Sequence, residues 1–115
     1  MCKGLDLQFS AESKIDRFRF VELLPGAAVG GVSGKRFPVG VAQNEYKAGE
    51  TAAVRVDGST RLFMHGVKAG DPVKAGPDGV GVKAEPGDLA RALCMVPGED
   101  GHAGAALLLS FVPWV

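Results

Sequence analysis

Apolar and polar residues alternate along several short stretches of this chain. Near the start, Leu5, Leu7 and Phe9 recur at every second position. The stretch 16–24 reads D-R-F-R-F-V-E-L-L, in which phenylalanines alternate with arginines, and 51–56 reads T-A-A-V-R-V. Alternation with a period of two is typical of a strand with one buried face, so these stretches predict β-strands.

Turn-forming dipeptides separate these short stretches along most of the chain. Short strands divided by such turns are typical of an all-β sandwich or barrel. We therefore predict an all-β fold, a compact small barrel or sandwich of short strands. The dipeptides include Pro25-Gly26, Ala48-Gly49, Asp57-Gly58, Ala69-Gly70, Pro86-Gly87 and Pro97-Gly98.

The segment 87–96 allows two interpretations. Asp88 suits the N-cap of a helix and good helix formers follow it, but an internal similarity favours a strand. The stretches 25–54 and 69–92 share the order of a turn, a V-G-V segment, a second turn with Gly before an acidic residue, and an apolar run. If that similarity reflects structure, Leu89–Val96 is a strand; chance resemblance in a chain rich in Gly, Ala and Val is the alternative.

The first 14 residues predict an extended N-terminal arm, because no turn signal ties them to the next stretch of the chain. Residues 15–115 then form a single β domain. We expect the alternating apolar residues to supply the core or a subunit interface. These residues are Phe18, Phe20, Val39, Val41, Val54, Val56, Leu62, Leu93, Met95, Leu107, Leu109 and Phe111.

Composition agrees with one small β-rich domain. The 115 residues include 17 Gly and 7 Pro, a content that disfavours a helical bundle. Thirteen basic residues balance thirteen acidic ones, so the basic surplus of a nucleic-acid-binding protein is missing. Cys2 and Cys94 are too few for a disulfide framework. The chain shows no secretory signal and no apolar run of membrane-spanning length, so we expect synthesis in a cytoplasm and no membrane contact.

Candidate catalytic and ligand motifs fail in their details. G-V-G-V-K-A (79–84) has the letters of a dinucleotide-binding loop, but Pro-containing turns flank it where a strand and a helix are required. Ser33-Gly34-Lys35-Arg36 resembles the end of a phosphate-binding loop, yet Arg36 stands where Ser or Thr would hold magnesium. His65 and His102 are too far apart for a clustered metal site. We therefore expect no enzyme activity, no metal and no cofactor.

The order of turns and strands carries a family resemblance. It comprises A-G-D-P-V (69–73), V-G-V (39–41 and 80–82), A-G-E (48–50) before the T-A-A-V-R-V strand, and a closing apolar strand. This pattern, over roughly residues 24–112, resembles the small head-decoration proteins of tailed bacteriophages. The sequence departs from them at its N-terminus, because such proteins often begin the core almost at once.

The resemblance implies a structural virion protein without enzyme activity. Similar proteins sit as trimers on the outside of an expanded icosahedral capsid, bind the major capsid protein and stabilise the shell. The implied protein is made in the host cytoplasm and resides on the capsid exterior. One alternative is a small β-barrel ligand-binding or carrier module of the lipoyl type; Lys47, Lys68 and Lys83 adjoin turns, but none has the expected sequence context. Another is a minor structural protein of the tail or neck.

Two sets of residues are candidates for contacts under this resemblance. We expect residues 5–20 to bind the capsid by adding a strand to an edge of the shell, because alternate side chains can enter pockets while the backbone pairs. The alternative is that 16–24 is an ordinary strand of the body and only the first dozen residues are free. The candidate arm contacts are Leu5, Leu7, Phe9, Arg17 and Arg19, and the candidate self-association residues are Phe111, Val112 and Trp114.

Overall fold

The computed structural model of the chain describes residues 3–34, 36, 38–99 and 102–113, with the backbone alone for 110–113. Ten strands and one 3-10 turn (Pro77–Gly79) make up the secondary structure of these residues. The predicted all-β class is confirmed, and Leu89–Val96 is a strand. The strands are β1 (Gly4–Ala11), β2 (Phe20–Leu24), β3 (Ala28–Gly30), β4 (Pro38–Ala42), β5 (Thr51–Leu62), β6 (Met64–His65), β7 (Pro72–Ala75), β8 (Gly81–Lys83), β9 (Leu89–Val96) and β10 (Gly104–Pro113).

Five strands close into a barrel in the order β1-β3-β2-β4-β5, with β5 pairing back onto β1. The pairing of β1 with β3 is parallel and involves Ser10 and Ala11, whereas β1 and β5 pair antiparallel from Gly4 to Ser10. The other strands extend the sheet from β5 in the order β10-β9-β7-β8-β6. Because β5 is 12 residues long, it belongs to both parts and joins them.

The buried side chains form two clusters, and the second one joins residues of the extension with Phe20 and Val41 from the barrel strands β2 and β4. The barrel core consists of Ala11, Ile15, Val21, Val29, Ala42, Ala52 and Val54. The extension core consists of Phe20, Val41, Leu62, Val67, Val73, Ala92, Cys94, Ala106 and Leu108. Burying a side chain such as Val, Leu or Phe contributes about 1.5–3 kcal/mol, so these two clusters are the main source of stability.

The residues expected in the core or a subunit interface differ in burial between the first half of the chain and the strands β9 and β10. Phe20, Val41, Val54 and Leu62 are fully buried, as expected. In β9 and β10 the buried positions include Ala92, Cys94, Ala106 and Leu108, while Met95 and Leu107 are about two-fifths exposed. Both faces of these strands are apolar, so alternation alone does not say which face is buried. Phe18, Val39, Val56, Leu93 and Leu109 are half-buried, and the Phe111 side chain lies outside the described residues.

The N-terminal segment is extended, as expected, but it is paired with the body. Residues 4–10 form an antiparallel ladder with β5, interrupted by one register shift between Leu5 and Asp6. The Asp6 carboxylate fastens this ladder, because Arg55 Nε and Nη2 donate to its two oxygens at 2.5 and 3.2 Å. The segment expected to be a separate N-terminal arm is therefore a strand of the body in this structure.

The strand expected over 16–24 begins later, at Phe20. Residues 17 and 18 form a turn, and Phe18 has a φ of 57°, which is unusual for an aromatic residue. Two backbone hydrogen bonds hold it there: Phe18 N–H donates to the Ala42 carbonyl, and Phe63 N–H donates to the Phe18 carbonyl. The turn thus ties β2 to both β4 and the end of β5.

One type of turn occurs three times, at 47–50, 68–71 and 85–88. In each, the carboxylate of the fourth residue accepts the N–H of the first, and the N–H of the fourth donates back to the carbonyl of the first. The third residue is always glycine, with φ between 90 and 96°. Glycine adopts this conformation without strain, which explains the recurring Gly-acid dipeptides.

A buried guanidinium lies where the barrel meets the extension. Arg91, on β9, is 6% exposed, and its nitrogens donate to the carbonyls of Pro38, Val39, Val56 and Leu109. The strand register skips Val39 in the ladder with β2, Val56 in the ladder with β1 and Leu109 in the ladder with β9. The carbonyls of these three residues therefore lack strand partners at these irregularities, and Arg91 donates the hydrogen bonds that they accept. Burial lowers the pKa of Arg91, and the nearby Asp57 carboxylate opposes that shift.

A second buried charge, the carboxylate of Glu22 on β2, is bound by the loop that follows β3. Ser33 Oγ donates to Oε1 at 2.7 Å and Gly34 N–H donates to Oε2 at 3.0 Å. Burial raises the pKa of Glu22, but hydrogen bonds from the Ser33 side chain and from backbone amides of Ser33, Gly34 and Arg36 outweigh it, so the pKa lies below its ordinary value. The loop that resembles the end of a phosphate-binding site therefore binds an internal anion.

We predict that replacing Arg91 destabilises the whole fold. Arg91→Ala leaves buried carbonyls without donors and should lower the free energy of unfolding by about 3 kcal/mol or more. Arg91→Lys keeps the charge but lacks the planar fork of donors, so it should remain clearly less stable than the unchanged protein. Urea denaturation measures both, with Arg61→Lys on the exposed face of β5 as control. An Arg91→Lys variant within about 0.5 kcal/mol of the unchanged protein would contradict the role given to this residue.

We predict that Glu22 makes the fold acid-sensitive. Because its folded pKa is lowered, the ionised carboxylate stabilises the fold fully above its ordinary pKa of 4.5, and this stabilisation is lost as the pH falls through the lower folded value. Glu22→Gln should reduce stability at neutral pH and flatten the acid dependence. Thermal unfolding between neutral and acidic pH tests this, with exposed Glu12→Gln as control. Identical acid dependence in Glu22→Gln and the unchanged protein would refute the assignment.

Candidate attachment surfaces

The expected arm contacts Leu5, Leu7 and Phe9 share one face of β1, since alternate residues of a strand point to the same side. Phe9 packs against the barrel core. Leu5 and Leu7 continue the same face beyond that core and are 55% and 44% exposed. The structure thus brings two of these side chains to the surface and uses the third for packing.

The arginines expected in the arm lie in the turn before β2, on a small aromatic cluster. The rings of Phe18 and Phe63 are tilted by 47°, with centroids 6.4 Å apart. The Arg17 guanidinium lies 5.8 Å from the Phe18 centroid, and the Arg19 guanidinium lies 5.8 Å from that of Phe63. Both distances suit a cation–π contact. The two arginines therefore occupy a different surface from Leu5 and Leu7, in a turn rather than a strand.

Arg19 separates two shallow depressions of about 330 Å³ each. One is also lined by Lys14, Asp16 and Asp78, and the other by Asp16, Arg17, Glu45 and Phe63. Arg19 Nη1 donates to the Asp78 carbonyl at 3.4 Å, whereas its buried Nε has no acceptor among the described residues. Basic and acidic side chains alternate around these depressions, so their charges balance.

The outer face of β9 and β10 carries an exposed apolar patch, which includes Met95 and Leu107 from the set expected in the core or a subunit interface, together with Val96, which was not in that set. Leu107 lies opposite Leu93, and Ala105 lies opposite Val96, so their side chains are neighbours. Val96 is 58% exposed and the adjacent Met95 is 43% exposed. The sequence signal for this patch is the apolar character of both faces of the two strands.

The expected self-association residues follow this patch along β10. Phe111 and Val112 belong to the strand, and Val112 pairs with Ala90, but their side chains are outside the described residues. Trp114 also lies outside them. Their role in self-association therefore stays a prediction.

The remaining candidates for chemistry are dispersed over the structure. His65 on β6 and His102 beyond β9 are both exposed. Within the described residues, no three His, Cys, Asp or Glu side chains gather into a possible metal site. Cys94 is a buried free thiol whose pKa is raised by burial and by the nearby Asp71, a setting that disfavours reactivity. Cys2 lies outside the described residues.

No helix in the described part of the chain is long and apolar enough to cross a membrane.

Comparison with known proteins gives a match at the level of structure. No protein-family model matches the chain, and no significant match was found among curated proteins. The crystal structure of the head fiber gp8.5 N base in bacteriophage phi29 superposes with a TM-score of 0.74 at 16% sequence identity, over 94% of this chain and 97% of that chain. At this identity the likeness concerns the fold, and it extends over nearly the whole of both chains. This chain therefore has the fold of a phage head-associated protein, as the pattern of turns and strands implied.

Proposed function

We propose that this protein is a structural component of a phage head that binds the outer surface of the expanded capsid and stabilises it. The observation that carries the proposal is the end-to-end structural match to a head fiber base. The partner would be the major capsid protein. The protein would be made in the host cytoplasm and would work without catalysis.

The design of the body supports a mechanical role. Two cores share one long strand, and Arg91 holds the strand irregularities at their junction. A body whose two cores are joined in this way suits a protein that carries mechanical load. Exposed apolar residues on β1 and on β9–β10 provide two separate areas for contact with other chains. Arg17 and Arg19 add contacts to carboxylates, each worth roughly 0–1 kcal/mol if exposed.

A trimer fits this role because a shell presents many copies of one site. Three linked subunits multiply a modest affinity per subunit through avidity. We propose that the β9–β10 patch, together with Phe111, Val112 and Trp114, forms the contact between subunits.

We predict that the purified protein co-sediments with expanded phage shells more strongly than with unexpanded ones. The shells are those of the phage that encodes the protein, and an unrelated protein of similar size is the control. Intact-mass measurement of the same sample checks for an added prosthetic group, which would favour a carrier module instead. Absence of binding to both kinds of shell would overturn the proposed function.

We predict a trimer in solution at micromolar concentration, with a mass three times the 11.9 kDa of the chain. Light scattering measures this mass. Leu107→Glu should dissociate the trimer, because a charge in the centre of an apolar contact loses its hydration. Leu23→Glu, at an equally exposed position on β2, is the matched control. A monomeric mass for the unchanged protein, or a trimer unaffected by Leu107→Glu, would count against this interface.

A further inference from the structure

The N-terminal half of β1 forms an edge of the sheet. On one side it pairs with β5 from Gly4 to Ser10. On the other side it pairs with β3, but only at Ser10 and Ala11. β3 begins only at Ala28, and the residues before it, including Pro25 and Gly26, form the turn from β2, so β3 does not continue alongside residues 4–9. Within the described part of the chain, no strand therefore pairs with the second side of residues 4–9.

The ladder tells which backbone groups face this open side. Ala11 N–H donates to the Glu50 carbonyl, and Gly49 N–H donates to the Ala11 carbonyl, so the Ala11 backbone faces the chain that leads into β5. Ser10 N–H donates to the Ala27 carbonyl and therefore faces the other way. Because these directions alternate along a strand, Leu7 and Phe9 face β5, while Asp6 and Gln8 present their N–H and C=O groups outward.

The side chains around this edge suit a second strand. Leu5 and Leu7 extend the apolar face beyond the barrel core and remain largely exposed. Asp6 is held by Arg55, which fixes the edge in its extended shape. An exposed apolar edge strand is a template for pairing with another chain.

We propose that the open edge of β1 binds an extended segment of the shell subunit, which adds to the sheet as a further strand beside Asp6 and Gln8. The segment would carry apolar side chains at alternate positions to cover Leu5 and Leu7. This proposal rests on the proposed function. It exchanges the roles expected from the sequence, in which the arm of this protein adds a strand to an edge of the shell. The folded protein supplies the edge, and the shell supplies the strand.

The occupant is a shell segment rather than a second copy of this chain. Pairing of β1 with β1 of another copy is two-fold, because the same edge is used on both sides. Two-fold contacts do not close a trimer, so the proposed trimer leaves this edge available. With three outward-facing residues, Gly4, Asp6 and Gln8, the site supports only a few backbone hydrogen bonds, and such a weak site gains most from avidity.

The test compares two substitutions at one position. Gln8→Pro removes the outward N–H and places a ring on the open edge, without breaking a hydrogen bond to β5. Gln8→Ala keeps the N–H and removes only the side chain. Circular dichroism and thermal unfolding establish that each variant is folded, and co-sedimentation with expanded shells measures the affinity.

We expect Gln8→Pro to fold and to bind at least about tenfold more weakly than Gln8→Ala, which should bind like the unchanged protein. Equal binding by Gln8→Pro and Gln8→Ala would overturn the edge proposal while leaving the proposed function intact. If the unchanged protein itself does not bind, the proposed function fails. Unfolding of Gln8→Pro alone would show that the N–H of residue 8 is used inside the fold, which also overturns the proposal.

Hydrogen exchange on the free protein gives an independent readout. The amides of Leu7 and Phe9 should exchange slowly, because they donate to β5, whereas those of Asp6 and Gln8 should exchange fast. On shells, the Gln8 amide should become protected. A two-fold dimer in light scattering that Gln8→Pro abolishes would identify a second copy as the occupant and overturn the assignment to the shell.

Discussion

The hydrogen bonds of the Arg91 guanidinium to backbone carbonyls are the interaction on which the junction of the barrel and the extension depends. β5 pairs with β1 along one edge, so β4 and β10 must share its other edge, first β4 at Val54 and Arg55 and then β10 from Gly58 onward. Where one neighbour replaces the other, backbone carbonyls lose their ladder partners. Burying such carbonyls without donors is costly, and one planar cation with several donors satisfies carbonyls from three strands together.

This junction has consequences for the surfaces. Both edges of β5 are paired with neighbouring strands. Because β1 pairs with β5 from Gly4 to Ser10 but with β3 only at Ser10 and Ala11, β1 extends past the end of β3. The apolar face of β1 therefore continues beyond the barrel core. The extension places small residues inward at Ala92 and Ala106, which leaves the larger Leu107 and Met95 outside. Both exposed apolar areas therefore follow from how the barrel is joined to the extension, and both lie on rigid strands.

Part of the candidate site is predictable from the sequence. The alternation of apolar residues indicates Leu5 and Leu7, which are exposed on β1. Arg17 and Arg19, expected beside them, lie instead at the turn before β2, on the Phe18–Phe63 cluster. The left-handed conformation of Phe18 has no local signal, because the hydrogen bonds that hold it come from Ala42 and Phe63, distant in the chain. The roles of Arg91 and Glu22 were likewise invisible, since their partners are backbone groups of other segments.

What the sequence by itself determined was the class of fold and the places where strands end. Period-two alternation and the Gly-acid dipeptides depend on local geometry, in which glycine at a positive φ ends one strand and begins the next. Only the tertiary structure decided which face of β9 and β10 is buried, where β2 begins, and that β1 is paired. Along β9 and β10 apolar residues occupy both faces, and the choice between them is made by the space available in the extension core, which depends on contacts between residues far apart in the chain.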